Sequence, residues 1–144
     1  MQESEKTKGT VLVIEDDLDF SEFLTTVLND HGYRTETVMD GDKALERAKA
    51  LRPDGITLDV LLPGRTGIAL YRKFRRDPDT RDIPIVIVSG VGTEGKKLNI
   101  ERFFSQRSIK APEGVLQKPV EPEVLLRTVD EALARAAGAA VKSA

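Results

Sequence analysis

Val11-Leu12-Val13-Ile14-Glu15-Asp16-Asp17 sets four consecutive apolar residues directly against three carboxylates. A strand with one face in water alternates apolar and polar residues, whereas a strand covered on both faces reads as a continuous apolar run. Residues 11–14 therefore read as an interior strand of a parallel sheet, and Glu15, Asp16 and Asp17 stand at its carboxyl end. A parallel neighbour is reached only through a crossover, usually a helix, and the next residues supply one. Phe20, Phe23, Leu24 and Val27 recur at helical spacing, and the pattern stops at His31-Gly32, where Gly serves as a helix stop. Asp17 reads as a cap for this helix.

The same alternation continues along the chain. Tyr33 to Val38 reads as a second strand, and Asp40 caps a helix carrying Ala44, Leu45 and Ala48 that ends before Pro53. Ile56-Thr57-Leu58 leads to Asp59, and a helix is expected over Gly67 to Arg76. Ile83 to Val88 (IPIVIV) is the most hydrophobic stretch and the candidate central strand. Val115-Leu116-Gln117 is a short fifth strand, and Glu121-Pro122 opens a helix with Val124, Leu125, Thr128, Val129, Ala132 and Leu133 on one stripe. Five strands alternating with five helices make an α/β fold, a five-stranded parallel sheet with helices on both faces joined by right-handed crossovers. The fourth helix is atypical, because Gly90, Gly92 and Gly95 weaken it and only Ile100, Phe103 and Phe104 show helical spacing. Residues 1–9 are expected to be a disordered tail, 10–137 the folded domain, and 138–144 a tail that frays from Gly138.

The chain's 144 residues fit one domain. With 22 basic and 24 acidic residues the net charge is −2, which supplies no electrostatic reason for a nucleic-acid partner. The absence of Cys excludes disulfides, thiolate metal sites and a Cys nucleophile, and the single His31 excludes a multi-histidine metal site. No apolar run reaches the roughly 18 residues of a membrane span, and residues 1–10 are polar rather than signal-like. The expected setting is the cytoplasm.

In an open parallel sheet, ligands bind beyond the carboxyl ends of the strands. The first apolar run ends in Glu15-Asp16-Asp17, the third in Asp59, the fourth in Ser89 and the fifth in Lys118. Carboxylates, one hydroxyl and one ammonium thus share a crevice. Clustered carboxylates repel unless a cation offsets them, and Mg²⁺, which takes a few protein oxygens and completes its shell with water and phosphate oxygens, fits that deficit.

With these residues placed, the chain resembles the receiver domain of two-component response regulators over about Gly9 to Ala136. Val13-Ile14-Glu15-Asp16-Asp17 resembles the family's acidic pair, Leu58-Asp59-Val60-Leu61-Leu62-Pro63-Gly64 with Gly67 its phosphoacceptor loop, Val88-Ser89-Gly90 its switch hydroxyl motif, and Gln117-Lys118-Pro119 its Lys-Pro motif. The resemblance implies a flavodoxin-like fold with strand order 2-1-3-4-5, and a cis peptide bond at Lys118-Pro119. It implies that Asp59 is phosphorylated, that Ser89 and Lys118 contact the phosphoryl group, and that Glu15, Asp16, Asp59 and the Leu61 backbone carbonyl hold Mg²⁺. The expected donor is a histidine kinase or histidine phosphotransfer protein, and the expected output is a conformational change read by a downstream protein, with no direct contact to nucleic acid or membrane. Such a domain is a phosphoacceptor that assists its own phosphoryl transfer rather than an enzyme. The competing reading is a phosphate-independent interaction module.

Several features depart from the family pattern or compete with it. Val115 stands where many receivers carry an inward-turning aromatic residue, Gly90 replaces a commoner Ala, and the stretch from Ser89 to Lys118 is longer than usual. Leu61 and Val91 are apolar at positions where polar side chains often orient the hydrolytic water, so a long-lived acyl phosphate is expected. Gly90 to Gly95 matches G-x-G-x-x-G, but it follows the fourth strand and lacks a ribose-binding acid, which argues against a dinucleotide site. Arg72, Lys73, Arg75 and Arg76 read as cations complementing a helix C-terminus. His31 reads as a cap.

Overall fold

The computed structural model describes residues 7–60, 67–90 and 109–143, with side chains described to residue 138. Five parallel strands, β1 (Gly9–Ile14), β2 (Tyr33–Val38), β3 (Gly55–Leu58), β4 (Ile85–Ser89) and β5 (Gly114–Gln117), form one sheet in the order β2-β1-β3-β4-β5. Among the described residues four helices accompany them: α1 (Leu18–Asp30), α2 (Gly41–Leu51), α3 (Gly67–Arg76) and α4 (Pro122–Ser143). The helix expected between β4 and β5 falls in residues 91–108, outside the described residues, as do Leu61, Val91, Phe103 and Phe104.

The continuous apolar run of β1 has a direct cause, because both of its faces are buried. Leu12 and Ile14 join Ala44, Ala48, Leu70 and Phe74 from α2 and α3 in one core. Val11 and Val13 point the other way, into a second core with Leu24 and Leu28 of α1 and Leu125 and Val129 of α4. β4 divides likewise, Ile85 and Ile87 to the first core and Val86 and Val88 to the second. Each residue step along a strand reverses the face, so a strand flanked by two helical layers buries apolar residues on both, as β1 and β4 do.

The helix ends follow the local chemistry. Asp17 caps α1, its carboxylate accepting from the Phe20 N–H at 3.2 Å, and Asp40 caps α2 through the Asp42 N–H at 2.9 Å. The His31 N–H closes α1 on the Leu28 carbonyl, and Gly32 turns the chain at φ 102°. The fourth strand begins at Ile85 rather than Ile83 because Pro84 has no N–H for the ladder; its carbonyl still accepts from Ile56 at 2.9 Å. The last helix spans Pro122–Ser143, and the alanines on either side of Gly138 are the strongest helix formers. At the other end Gly9 already belongs to β1, and the Lys8 N–H donates to the Gly32 carbonyl at 2.9 Å.

Lys73, Arg75 and Arg76 stand in the last turn of α3, as their reading as cations complementing a helix end expects. Arg75 does more than that, because it is buried: its guanidinium donates to the Tyr71 hydroxyl, to the Arg81, Ile83 and Ala111 carbonyls, and to Glu113 at 2.7 Å. Glu113 also accepts from the Ile85 N–H at 2.8 Å. The arginine thus ties α3 to the entry of β4 and β5. His31 caps α1 through its backbone, while its ring Nε2 lies 3.1 Å from Asp130 on α4, a carboxylate that also accepts from the Tyr33 hydroxyl.

Candidate functional site

Backbone hydrogen bonds carry the sheet order one residue past the strands and so align the polar strand ends. The Glu15 N–H donates to the Val38 carbonyl at 3.1 Å, the Asp59 N–H to Ile14 at 3.1 Å, and the Lys118 N–H to Ser89 at 2.8 Å. Glu15, Asp16, Asp59, Ser89 and Lys118 therefore share the carboxyl edge of the sheet, as the sequence predicts. The Lys118-Pro119 peptide bond is cis.

Gly67 brings α3 hard against the acceptor strand. Its N–H donates to the Val60 carbonyl at 2.9 Å, and a Cβ there would lie 2.4 Å from the Val60 Cα and 2.5 Å from the Asp59 carbonyl oxygen. No side chain fits that gap, which accounts for glycine at this position.

Glu15, Asp59 and Ser89 are buried, and Asp16 is half-buried. Oxygens of Glu15, Asp16 and Asp59 lie within 4.8 Å of one another. The Lys118 ammonium sits 3.2 Å from Glu15 and 3.4 Å from the Asp59 Oδ2. One ammonium against three carboxylates leaves the cluster short of positive charge. The cost shows at Glu15: burial, then the Asp59 carboxylate, push its carboxyl up to about 7, although the Asp17 N–H and Lys118 pull it down. Among the described residues the buried Ser89 Oγ has no hydrogen-bond partner, while the Glu15 Oε1 lies 3.2 Å from the Lys118 Nζ. An unpaired buried polar atom is costly, and Ser89 ends the strand next to the one that leads to Asp59. Three carboxylates within reach of one another, offset by the one Lys118 ammonium, suit a hard divalent cation.

Phe20 belongs to this site and was not singled out for it by the sequence. From the first turn of α1 it turns its ring to Lys118, whose Nζ lies 4.3 Å from the ring centroid. Its helical spacing marks it as a core residue; only the juxtaposition of α1 with the end of β5 reveals the second contact. Val115, compared above with an inward aromatic position, is 48% exposed, so it faces solvent at the sheet edge. The carbonyl of Leu61, the remaining expected ligand, lies outside the described residues.

The comparisons with known proteins agree with this geometry. Residues 11–130 match the model of the response regulator receiver domain. Protein Rrf1 of Nitratidesulfovibrio vulgaris is 31% identical over 86% of this chain and 82% of its own length. The DNA-binding response regulator MtrA of Mycobacterium tuberculosis is 33% identical over 87% of this chain, which spans only 50% of MtrA. Among solved structures, a response regulator from Chloroflexus aurantiacus superposes with a TM-score of 0.76 at 31% identity, covering 88% of this chain and 98% of that one. The receiver domain of the sensor histidine kinase PA1611 from Pseudomonas aeruginosa, with a magnesium ion coordinated in its active site cleft, superposes with a TM-score of 0.74 at 25% identity over 88% of this chain and 98% of its own. The chain belongs to the receiver domains of two-component response regulators.

Proposed function

We propose that Asp59 accepts a phosphoryl group from a phosphohistidine of a histidine kinase or histidine phosphotransfer protein, and that the resulting acyl phosphate is the signal passed to a downstream protein. The observation that carries this reading is the convergence on one buried carboxylate of an ammonium at 3.4 Å and, on the adjacent strand, a buried hydroxyl with no hydrogen-bond partner among the described residues.

In the transfer, an Asp59 carboxylate oxygen forms the new bond to phosphorus while the P–N bond of the phosphohistidine breaks and the imidazole leaves. Catalysis is then mainly positioning and charge compensation. Glu15, Asp16, Asp59 and the Leu61 carbonyl would hold Mg²⁺, which when bound supplies positive charge to the phosphoryl oxygens. Lys118 donates to a second phosphoryl oxygen, and the Ser89 hydroxyl to a third. The phosphorylated side chain carries about −2 charge at neutral pH, and its contacts with Ser89 and Lys118 favour one conformation over another.

The domain, which we place at residues 10–137, acts in the cytoplasm, where the donor is found. Among the described residues no helix is long and apolar enough to cross a membrane. MtrA is a DNA-binding response regulator, but this chain spans only half of it, and with a net charge of −2 we assign this chain no direct nucleic-acid contact. Incubation with acetyl phosphate and Mg²⁺ followed by intact mass measurement tests the proposal. It predicts one added phosphoryl group on the native chain and none on Asp59→Asn. A native chain that gains nothing would favour the phosphate-independent interaction module.

A further inference from the structure

Building on the phosphoacceptor reading, we infer that Phe20 is a positioning residue that holds the Lys118 ammonium at Asp59. Lys118 ends β5 on one side of the site and Phe20 opens α1 on the other, and they meet with Nζ 4.3 Å from the ring centroid. Away from the ring, the same ammonium reaches Glu15 at 3.2 Å and Asp59 at 3.4 Å.

A lysine head on a four-carbon stem has many rotamers and strong hydration, so it needs fixing before it can act at one point. Carboxylates alone fix it at a cost, because each one occupies an N–H that a phosphoryl oxygen requires. The ring attracts the cation through its quadrupole and takes no N–H donor. Its own placement is fixed twice. The Phe20 N–H donates to the capping carboxylate of Asp17 at 3.2 Å, and the ring packs against Phe23 with centroids 5.6 Å apart at a 32° tilt. The cap that starts α1 therefore also places the ring, and Asp17, next to the metal-binding pair, serves the site through Phe20.

A purely structural Phe20, one more side chain beside the α1 and α4 core, predicts that any apolar residue of similar size will do. Phe20→Leu keeps most of the apolar volume and loses the ring face, whereas Phe20→Tyr keeps the face. In the native chain the Lys118 ε-methylene resonance, assigned by its disappearance in Lys118→Met, should be shifted upfield by the ring current. Phe20→Leu should return it to the ordinary lysine position, and Phe20→Tyr should leave it upfield.

Labelling by acetyl phosphate with Mg²⁺ should slow about 2- to 30-fold in Phe20→Leu, the range expected for a cation–π contact. Phe20→Tyr should stay within about twofold of native. Should Phe20→Leu melt below the assay temperature, Phe20→Met makes the same comparison. An unshifted Lys118 resonance in the native chain, a folded Leu or Met variant labelled at the native rate, or a Tyr variant as slow as Leu would overturn the positioning role alone. Absence of labelling in the native chain would instead overturn the Asp59 reading, and this role with it.

Discussion

The Lys118 ammonium lies 3.2 Å from Glu15, a carboxylate buried at the end of an interior strand. That pairing shows why the cluster is poised for a cation. The one lysine already serves Glu15 and Asp59, and a third carboxylate, Asp16, stands within reach of both.

Mg²⁺ should therefore stabilise the folded chain. Binding to the folded state alone adds about 2.7 kcal/mol at a hundredfold excess over the dissociation constant, enough to raise the melting temperature by several degrees. Asp16→Asn should abolish most of that gain and Glu15→Gln less of it, since the Lys118 ammonium at 3.2 Å already offsets the Glu15 charge. Thermal melts with and without Mg²⁺ decide this, and equal melting temperatures for the native chain would remove the metal from the account.

The Arg75–Glu113 pair should contribute pH-dependent stability. Burial of Glu113 opposes its ionisation, but the Ile85 N–H, the Arg75 guanidinium and Lys110 outweigh it and hold the carboxyl below the usual carboxylate range. A depressed folded value means the contribution is present above the unfolded value near 4.5 and is lost as pH falls through the folded value. Urea melts from pH 7 downward should show this loss in the native chain and a smaller slope in Glu113→Gln. Removing one partner of a buried pair costs roughly 3–5 kcal/mol, and Arg75→Ala should lose that order at pH 7.

Thr57 offers a change in the opposite direction. It lies in register with Val13 and Val86, its side chain is buried, and its Oγ1 has no hydrogen-bond partner among the described residues. Thr57→Val replaces the unpaired hydroxyl with a methyl of similar shape and should stabilise the chain by about 1 kcal/mol. A denaturant midpoint at or below the native one would contradict this.

The lifetime of the acyl phosphate should be long, because the resemblance to receiver domains sets the apolar Leu61 and Val91 where polar side chains often orient the hydrolytic water. The double variant Leu61→Asn, Val91→Glu should lose its phosphoryl group faster than the native chain once the donor is removed. Native loss that is equally fast would overturn the assignment.

How much of this was legible in the sequence depended on the range of the interactions. The strands and the converging polar ends were readable because each apolar run stops at a polar residue, so Ile14-Glu15, Leu58-Asp59, Val88-Ser89 and Gln117-Lys118 each carry their own boundary, whereas the strand order came only with the family resemblance. Asp17 and Asp40 were readable as caps for the same local reason. Arg75 was not, because its partners at Arg81, Ile83, Ala111 and Glu113 are brought to it by the packing of α3 on the sheet, and a cation at a helix end has an adequate local explanation. Phe20 was hidden likewise: helical periodicity accounts for it fully until the end of β5 is seen beside α1. The β4 start moved for the opposite reason, since the missing amide of Pro84 was visible and was outweighed by the hydropathy of the stretch.

The central claim is that Asp59 itself becomes the acyl phosphate. Treating the phosphorylated chain with borohydride reduces an aspartyl phosphate to homoserine, and peptide sequencing by mass spectrometry then locates it. The account predicts homoserine at position 59 alone, dependent on prior phosphorylation; homoserine at position 16 or 17, or a labelled chain with none at 59, would contradict it.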